Sequence, residues 1–250
     1  MAKNRTKKII VAGSLVVEAV YDRITVKDGP TARASKHKAS SEAQRRMNRI
    51  YSVQKLELLL AANFRPGDIV LTLTYDDEHL PADRKGAEAA LKAFRRRVTV
   101  ERVMRGQELR MIWNIEHKHG EGRWHHHAVL NSTGEDFEQL HRLWPCGILE
   151  AKKLIIDRDH SYEALARYMA KEEGDKLGQR SWSCTRNLRK PEVETFRVED
   201  DTTVQVPKGG VTLKAESGRD AWTGWQVVKY LAPGWDRHDR PKAKRRRRRR

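Results

Sequence analysis

Between the turn Phe64-Arg65-Pro66-Gly67-Asp68 and Pro81 the chain reads Ile69-Val70-Leu71-Thr72-Leu73-Thr74-Tyr75, and a run so rich in branched and aromatic residues has few structures open to it. Side chains alternate along a strand, so Leu71 and Leu73 share one face and Thr72 and Thr74 the other. The run reads as a central strand. Upstream, Met47, Ile50, Tyr51, Val53, Leu56, Leu59 and Leu60 recur at helical spacing after Ser40-Ser41-Glu42, which predicts a helix ending near Asn63. Downstream come an amphipathic helix from about Asp83 to Met104, strands over Leu109 to Glu116 and Trp124 to Asn131, and a short helix from Phe137 to Leu143. A strand over Ile148 to Ile156 and a helix from Tyr162 to Glu173 complete the series. This order predicts an α+β, ferredoxin-like (RRM-like) antiparallel sheet with helices on one face.

The flanks are of another kind. Ile9 to Val26 alternates and predicts one or two strands closed by the turn Lys27-Asp28-Gly29-Pro30, making residues 1–40 a β-rich, basic accessory segment to a main domain over 41–175. Residues 176–240 predict a β-rich extension with strands near Glu192 to Val198, Thr202 to Val206 and Trp225 to Leu231. The arginine-rich stretch 241–250 has nothing to bury and is expected to be disordered.

The chain of 250 residues carries a formal net charge of +17. From Asp236 to Arg250 ten Lys or Arg stand against two Asp, so that stretch accounts for +8 and the rest of the chain for +9. A body that is basic without its tail calls for a polyanion, and phosphate neutralisation with counterion release makes nucleic acid the partner of choice. Cys146 and Cys184 are far apart and form no ligand pair, which suits a reducing cytoplasm. The apolar stretch from Ile9 ends at Glu18, well short of the roughly 18 residues a membrane span needs. A cytoplasmic location with no membrane partner is therefore expected.

Trp124-His125-His126-His127-Ala128-Val129-Leu130 sets His125 and His127 on one strand face, while His126 joins Trp124, Ala128 and Leu130 on the apolar face. On the neighbouring strand Glu116 ends close to His125. Two imidazoles and a carboxylate leave positions open for water and a phosphate oxygen, as a catalytic metal requires. Mixed nitrogen and oxygen ligands suit Mn2+ or Mg2+, although zinc binds such sets more tightly. His117 and His119 are second choices for the place of Glu116. The plainer alternative is a histidine run that touches DNA phosphates and holds no metal.

In the helix after Ser161, Tyr162, Leu165 and Met169 form the inward stripe, and Tyr168 lies about a quarter-turn away, with Lys171 further round. A phenol with its ordinary pKa near 10 is a poor nucleophile, so it needs a polarised phosphate and a nearby cation, which Lys171 supplies. Alone, a Tyr and a Lys at this spacing are ordinary surface residues; the workable order of three such segments carries the reading. Contacts to DNA are expected from Thr72, Thr74, Arg95, Arg96, Arg97 and Arg123, and from Arg245 and Arg246 in the tail.

Leu71-Thr72-Leu73-Thr74-Tyr75, His125-His126-His127 and Tyr168-Met169-Ala170-Lys171 together resemble the three motifs of the HUH (His-hydrophobe-His) replication initiators and relaxases. The likeness is specifically to the single-tyrosine rolling-circle proteins of bacterial plasmids and phages, and spans residues 64 to 175. The resemblance implies a ferredoxin-like nickase domain, a divalent metal on the histidine pair with Glu116 at the place of the extra ligand, and Tyr168 forming a covalent 5′-phosphotyrosine beside a free 3′-hydroxyl. One departure is His126, where the family carries a bulky apolar residue. The implied partners are single-stranded or hairpin DNA at a replication origin and the host's polymerase. A glycine loop ending in Gly-Lys-Ser/Thr is missing from the sequence, so unwinding falls to a host helicase. Relaxases and single-tyrosine transposases share this chemistry, and a non-catalytic basic DNA-binding protein or a zinc hydrolase are the rivals of other classes.

Overall fold

The computed structural model describes residues 3–24, 42–117, 123–134, 136–156, 161–170, 181–219 and 224–235. The turn expected at 27–30 and the tail at 241–250 lie outside them. Among the described residues, two five-stranded antiparallel sheets and four helices make up an α+β fold.

The first sheet contains β3 (Ile69–Thr74), β4 (Met111–His117), β5 (Trp124–Leu130), β6 (Leu149–Lys153) and the two-residue β7 (Ser183–Cys184), in the order β6-β3-β5-β4-β7. With α2 (Arg84–Met104) and α3 (Phe137–Leu143), the path β3-α2-β4-β5-α3-β6 places the last strand beside the first and the third between first and second. That is the ferredoxin-like arrangement expected from the sequence. Asp83 caps α2, its carboxylate accepting from the Gly86 N–H at 2.8 Å.

Strand alternation divides the core in two. Ile69, Leu71 and Leu73 of β3, with Met111, Ile115, Ala128 and Leu130, pack against Leu91, Phe94 and Val98 of α2 and Leu140 of α3. On the reverse face, Val70, Ile112 and Val129 meet Val53, Leu56 and Leu60 of α1 (Glu42–Asn63) and Ala166 and Met169 of α4 (Glu163–Met169). Helices therefore cover both faces, where the sequence predicted one. The difference arises because β3, β4 and β5 carry apolar residues on both faces at the end remote from their histidines, a pattern that demands a second layer. The α1 stripe also begins later than its spacing suggested: Met47, Ile50 and Tyr51 are exposed, and burial starts at Val53.

The second sheet joins the two ends of the chain. β1 (Lys3–Ala12) and β2 (Leu15–Ile24) form a hairpin, to which β8 (Glu192–Val198), β9 (Val211–Arg219) and β10 (Gly224–Leu231) add in the order β8-β1-β2-β10-β9. The hairpin starts earlier than expected, at Lys3, and turns at Gly13-Ser14. Gly13 has φ +64°, and a Cβ there would stand 2.6 Å from the Ala61 carbonyl oxygen, so both the turn and the approach of α1 require glycine. Thr202 to Val206 is not a strand, whereas β9, unforeseen, is mostly exposed and polar and is held as a strand by pairing with β10.

One ion cluster ties this sheet to the helical layer. Lys229 of β10 donates to both carboxylate oxygens of Glu57 on α1 at 2.9 and 3.2 Å, and to Glu163 at the start of α4 at 2.5 Å. Burial pushes the Glu163 carboxyl up, but the bonds from Lys229 and Arg167 outweigh it and bring the group to about 2. That contribution is complete above the ordinary glutamate range near 4.3 and is lost as pH falls towards 2. Lys229→Met would leave Glu57 and Glu163 without their cation, and we expect a loss of about 3 kcal/mol in urea unfolding at neutral pH. The low-pH decline assigned to Glu163 should shrink in the same variant.

Candidate active site

Each side chain at the exposed end of the reverse face is placed by strand register. β5 lies between β3 and β4, pairing Thr72 and Asn114 with His127, and Thr74 and Glu116 with His125. All six lie on one face, since they occupy alternate positions of three adjacent strands. α4 then crosses above them. Its inward residues Ala166 and Met169 are buried, and the next position round the helix, Tyr168, remains 44% exposed at the rim.

His127 is the hub. Its Nε2 stands 2.9 Å from the Tyr168 hydroxyl and 3.0 Å from Glu116 Oε2, while its Nδ1 faces Thr72 Oγ1 at 3.3 Å. The rings of His127 and Tyr168 meet edge to face with centroids 4.9 Å apart. Glu116 is only 3% exposed and Tyr168 44%, so one imidazole nitrogen meets a buried carboxylate and an exposed phenol. Thr74 donates to the Ile148 carbonyl at 3.2 Å, which leaves it a framework role at the edge of the group.

His126 points through the sheet to the other face, as alternation predicts. It is fully buried, and its Nε2 is hydrogen-bonded to the Tyr75 hydroxyl at 2.6 Å. Burial, reinforced by the neighbouring imidazoles of His127 and His125, pushes its pKa down to about 3. His117, a second choice for a ligand, has its ring 4.3 Å from that of Trp124. His119 and Lys171 lie outside the described residues.

Whether this group can hold a metal is a matter of donor chemistry. Among the described residues no three His, Cys, Asp or Glu side chains converge as a finished cage. Two do meet: His127 Nε2 and Glu116 Oε2 are 3.0 Å apart. Ligands bound at about 2.1 Å in octahedral geometry sit about 3.0 Å from each other, so the pair has the spacing of adjacent Mg2+ or Mn2+ ligands. His125 shares their face of the sheet by strand alternation, one residue pair further along.

The basic residues named from the sequence are dispersed. Arg123 donates to the Tyr75 carbonyl at 2.9 Å and pairs with Asp77, stapling the start of β5 to the loop after β3. Arg95, Arg96 and Arg97 are on α2, across the sheet from Tyr168. Arg97 donates to the Leu143 carbonyl at 2.9 Å, Arg95 covers the Trp113 ring at 4.6 Å, and Arg96 is exposed. Arg245 and Arg246 lie outside the described residues. Sequence reading passed over Asn114, although its position two residues before Glu116 on the same strand was a usable signal.

Residues 68–173, from the start of β3 to just beyond α4, match the family model of the ORF2-type replication-associated proteins. The match is consistent with a rolling-circle replication initiator of the HUH type and supports a role in replication initiation and interaction with DNA. It contains every residue of the cluster described above. No curated protein and no solved structure matches the chain. Among the described residues, no helix is long and apolar enough to cross a membrane.

The neutral His126 sets a pH dependence. The unfolded chain protonates this imidazole near pH 6.5, which the folded chain resists down to about 3, so stability falls with pH throughout that window. His126→Phe should flatten the slope of unfolding free energy against pH between about 6.5 and 3 by up to about 1.4 kcal/mol per pH unit. Urea titrations at several pH values read it directly.

Proposed function

We propose that the chain is a metal-dependent, site-specific single-strand DNA endonuclease and strand transferase, which initiates rolling-circle replication through a covalent 5′-phosphotyrosine at Tyr168. The carrying observation is the Tyr168 hydroxyl 2.9 Å from the His127 nitrogen that also meets Glu116. A nucleophile and a metal-ligating pair from three separate segments thus converge at one point, the requirement for grasping one phosphorus from two sides.

His125, His127 and Glu116 would hold a divalent cation, Mn2+ or Mg2+, which would supply polarisation of a non-bridging phosphate oxygen. Tyr168 supplies the attacking oxygen. As its bond to phosphorus forms, the bond from phosphorus to the 3′-oxygen breaks; the phenol gives up its proton and the departing oxygen takes one up. Lys171, three residues on, is the cation assigned to the charge on the phenol oxygen. Thr72 holds His127 from its other nitrogen and fixes the direction of the ring. Attack by a 3′-hydroxyl on the phosphotyrosine reverses the chemistry and rejoins a strand, so one site nicks and ligates. The substrate is single-stranded or hairpin DNA at an origin in a bacterial host's cytoplasm, with host helicase and polymerase completing replication.

With Mn2+ and labelled single-stranded DNA from its own locus, the protein should form a denaturation-resistant adduct. Both EDTA and Tyr168→Phe should abolish that band while DNA binding persists. An adduct that survives Tyr168→Phe would remove the nucleophile from this assignment.

A further inference from the structure

Trp225 of β10 stands on the second sheet with its indole lying on bare backbone. A Cβ at Gly218, its cross-strand partner on β9, would meet the indole Nε1, Cε2 and Cζ2 at 2.7, 2.8 and 3.0 Å. Three ring atoms at nearly equal distance mean that the ring lies across the Gly218 Cα, where any larger residue would push it off. Glycine weakens a strand interior, and its place in β9 is accounted for by this close approach. The ring is still 43% exposed, and the exposed part is on the side turned away from the strand.

Register sets what surrounds it. One row across the five strands reads Arg197, Thr6, Tyr21, Trp225 and Gly218, in the order β8-β1-β2-β10-β9. All five share a face, and the next row on that face contains Lys8, Ala19, Val227 and Glu216. Ala19 and Val227 are only half-buried and Arg197 is exposed, so the face is accessible around the indole. The acid in these rows, Glu216, pairs with Lys214 at 2.8 Å, which leaves Arg197 and Lys8 as the charges flanking the two aromatic residues. Lys229, two positions beyond Val227 on the same face, binds Glu163 at the start of α4. The helix that carries Tyr168 therefore meets the second sheet on this face, four residues or about 13 Å along β10 from Trp225.

We propose that this face is a platform for single-stranded DNA, on which an unpaired base stacks against Trp225 and the flanking phosphates meet Arg197 and Lys8. A ring pinned flat on a sheet offers a π-face that any base can use, and cations beside it take the backbone. A second copy of the chain is disfavoured as occupant by charge, since each carries +17. A duplex is disfavoured because its bases are already stacked on one another. None of the five strands lies within residues 68–173, so the platform adds to the segment that matches the replication-associated family. The inference rests on the DNA substrate of the proposed function, and not on its metal or its nucleophile.

Binding is measured with the full chain in EDTA at fixed salt. The probes are fluorescein-labelled dT and an abasic strand, each of roughly 20 nucleotides, longer than a usual single-strand site. Both carry the same phosphates, so their ratio cancels the chain's net charge. We expect dT to bind about tenfold more tightly than the abasic strand. Trp225→Leu should weaken dT binding at least about fivefold and leave abasic binding unchanged. Gly218→Ala, which displaces the ring without removing it, should act in the same direction. Arg197→Gln should flatten the slope of log affinity against log salt by about 0.7 with both strands. Photocross-linking of the unmutated chain to dT containing 5-iododeoxyuridine should label the peptide bearing Trp225, which reads the contact without relying on a variant that must fold. A dT-to-abasic ratio untouched by Trp225→Leu, or cross-links confined to other peptides, overturns the proposal. So does an altered oligomeric state in Trp225→Leu with DNA binding intact, which would assign the face to a second copy. Adduct formation in Mn2+ is scored separately. An adduct with no label at Trp225 sinks the platform alone, and a label at Trp225 with no adduct sinks the nickase alone.

Discussion

The register of β5 between β3 and β4 is the constraint from which the rest of the site follows. A slip of one residue would carry His125 and His127 into the α2 core and bring His126 out beside Tyr168. What prevents it is the apolar set on the same strand. Ala128 and Leu130 are committed to the face under α2, Val129 to the face under α1 and α4, and each is essentially buried. The histidine positions are thus enforced by hydrophobic residues a few places further along the same strand, where it is core on both faces.

That arrangement also explains why a histidine is tolerated inside the core at position 126. The ring takes the place of an apolar residue, held neutral by burial and paired on one nitrogen with Tyr75. Tyr75 and Trp144 pack edge to face around it, so the imidazole behaves as part of an aromatic cluster. A triplet of histidines thereby serves two purposes, with the middle ring structural and the outer pair facing the proposed chemistry.

Tyr168 depends on a different device. α4 spans only Glu163–Met169, too short to be stable by helix formation alone, so its position is fixed by what it touches. Ala166 and Met169 key it to α1 and the sheet, and Glu163 joins Lys229 and Glu57 in the cluster that reaches the second sheet. The terminal segments of the chain, which contain none of the site residues with described positions, therefore brace the helix that carries the proposed nucleophile. Buried ion pairs are weak sources of net stability, but they specify geometry where removal of one member leaves the others stranded.

Periodicity in the sequence determined most of the first sheet. The alternation in 69–75 and 124–130, the helical stripe in 84–104 and the spacing of Tyr162 and Met169 each encode a face, and a face is a local property of the backbone. It also determined that His126 turns inward, and the three motifs of its resemblance lie inside the segment that matches the replication-associated family. Local pattern could not reveal that α1 and α4 cover the second face, that the two chain ends share one sheet, that β9 forms on its partner's edge, or that Arg95 to Arg97 lie across the sheet from Tyr168. Those are pairings between residues far apart in sequence, such as Lys229 with Glu57, and their energy exists only once the chain has closed the distance. Asn114 belongs to both accounts: alternation placed it on the site face, and only tertiary packing left its amide buried without a partner among the described residues.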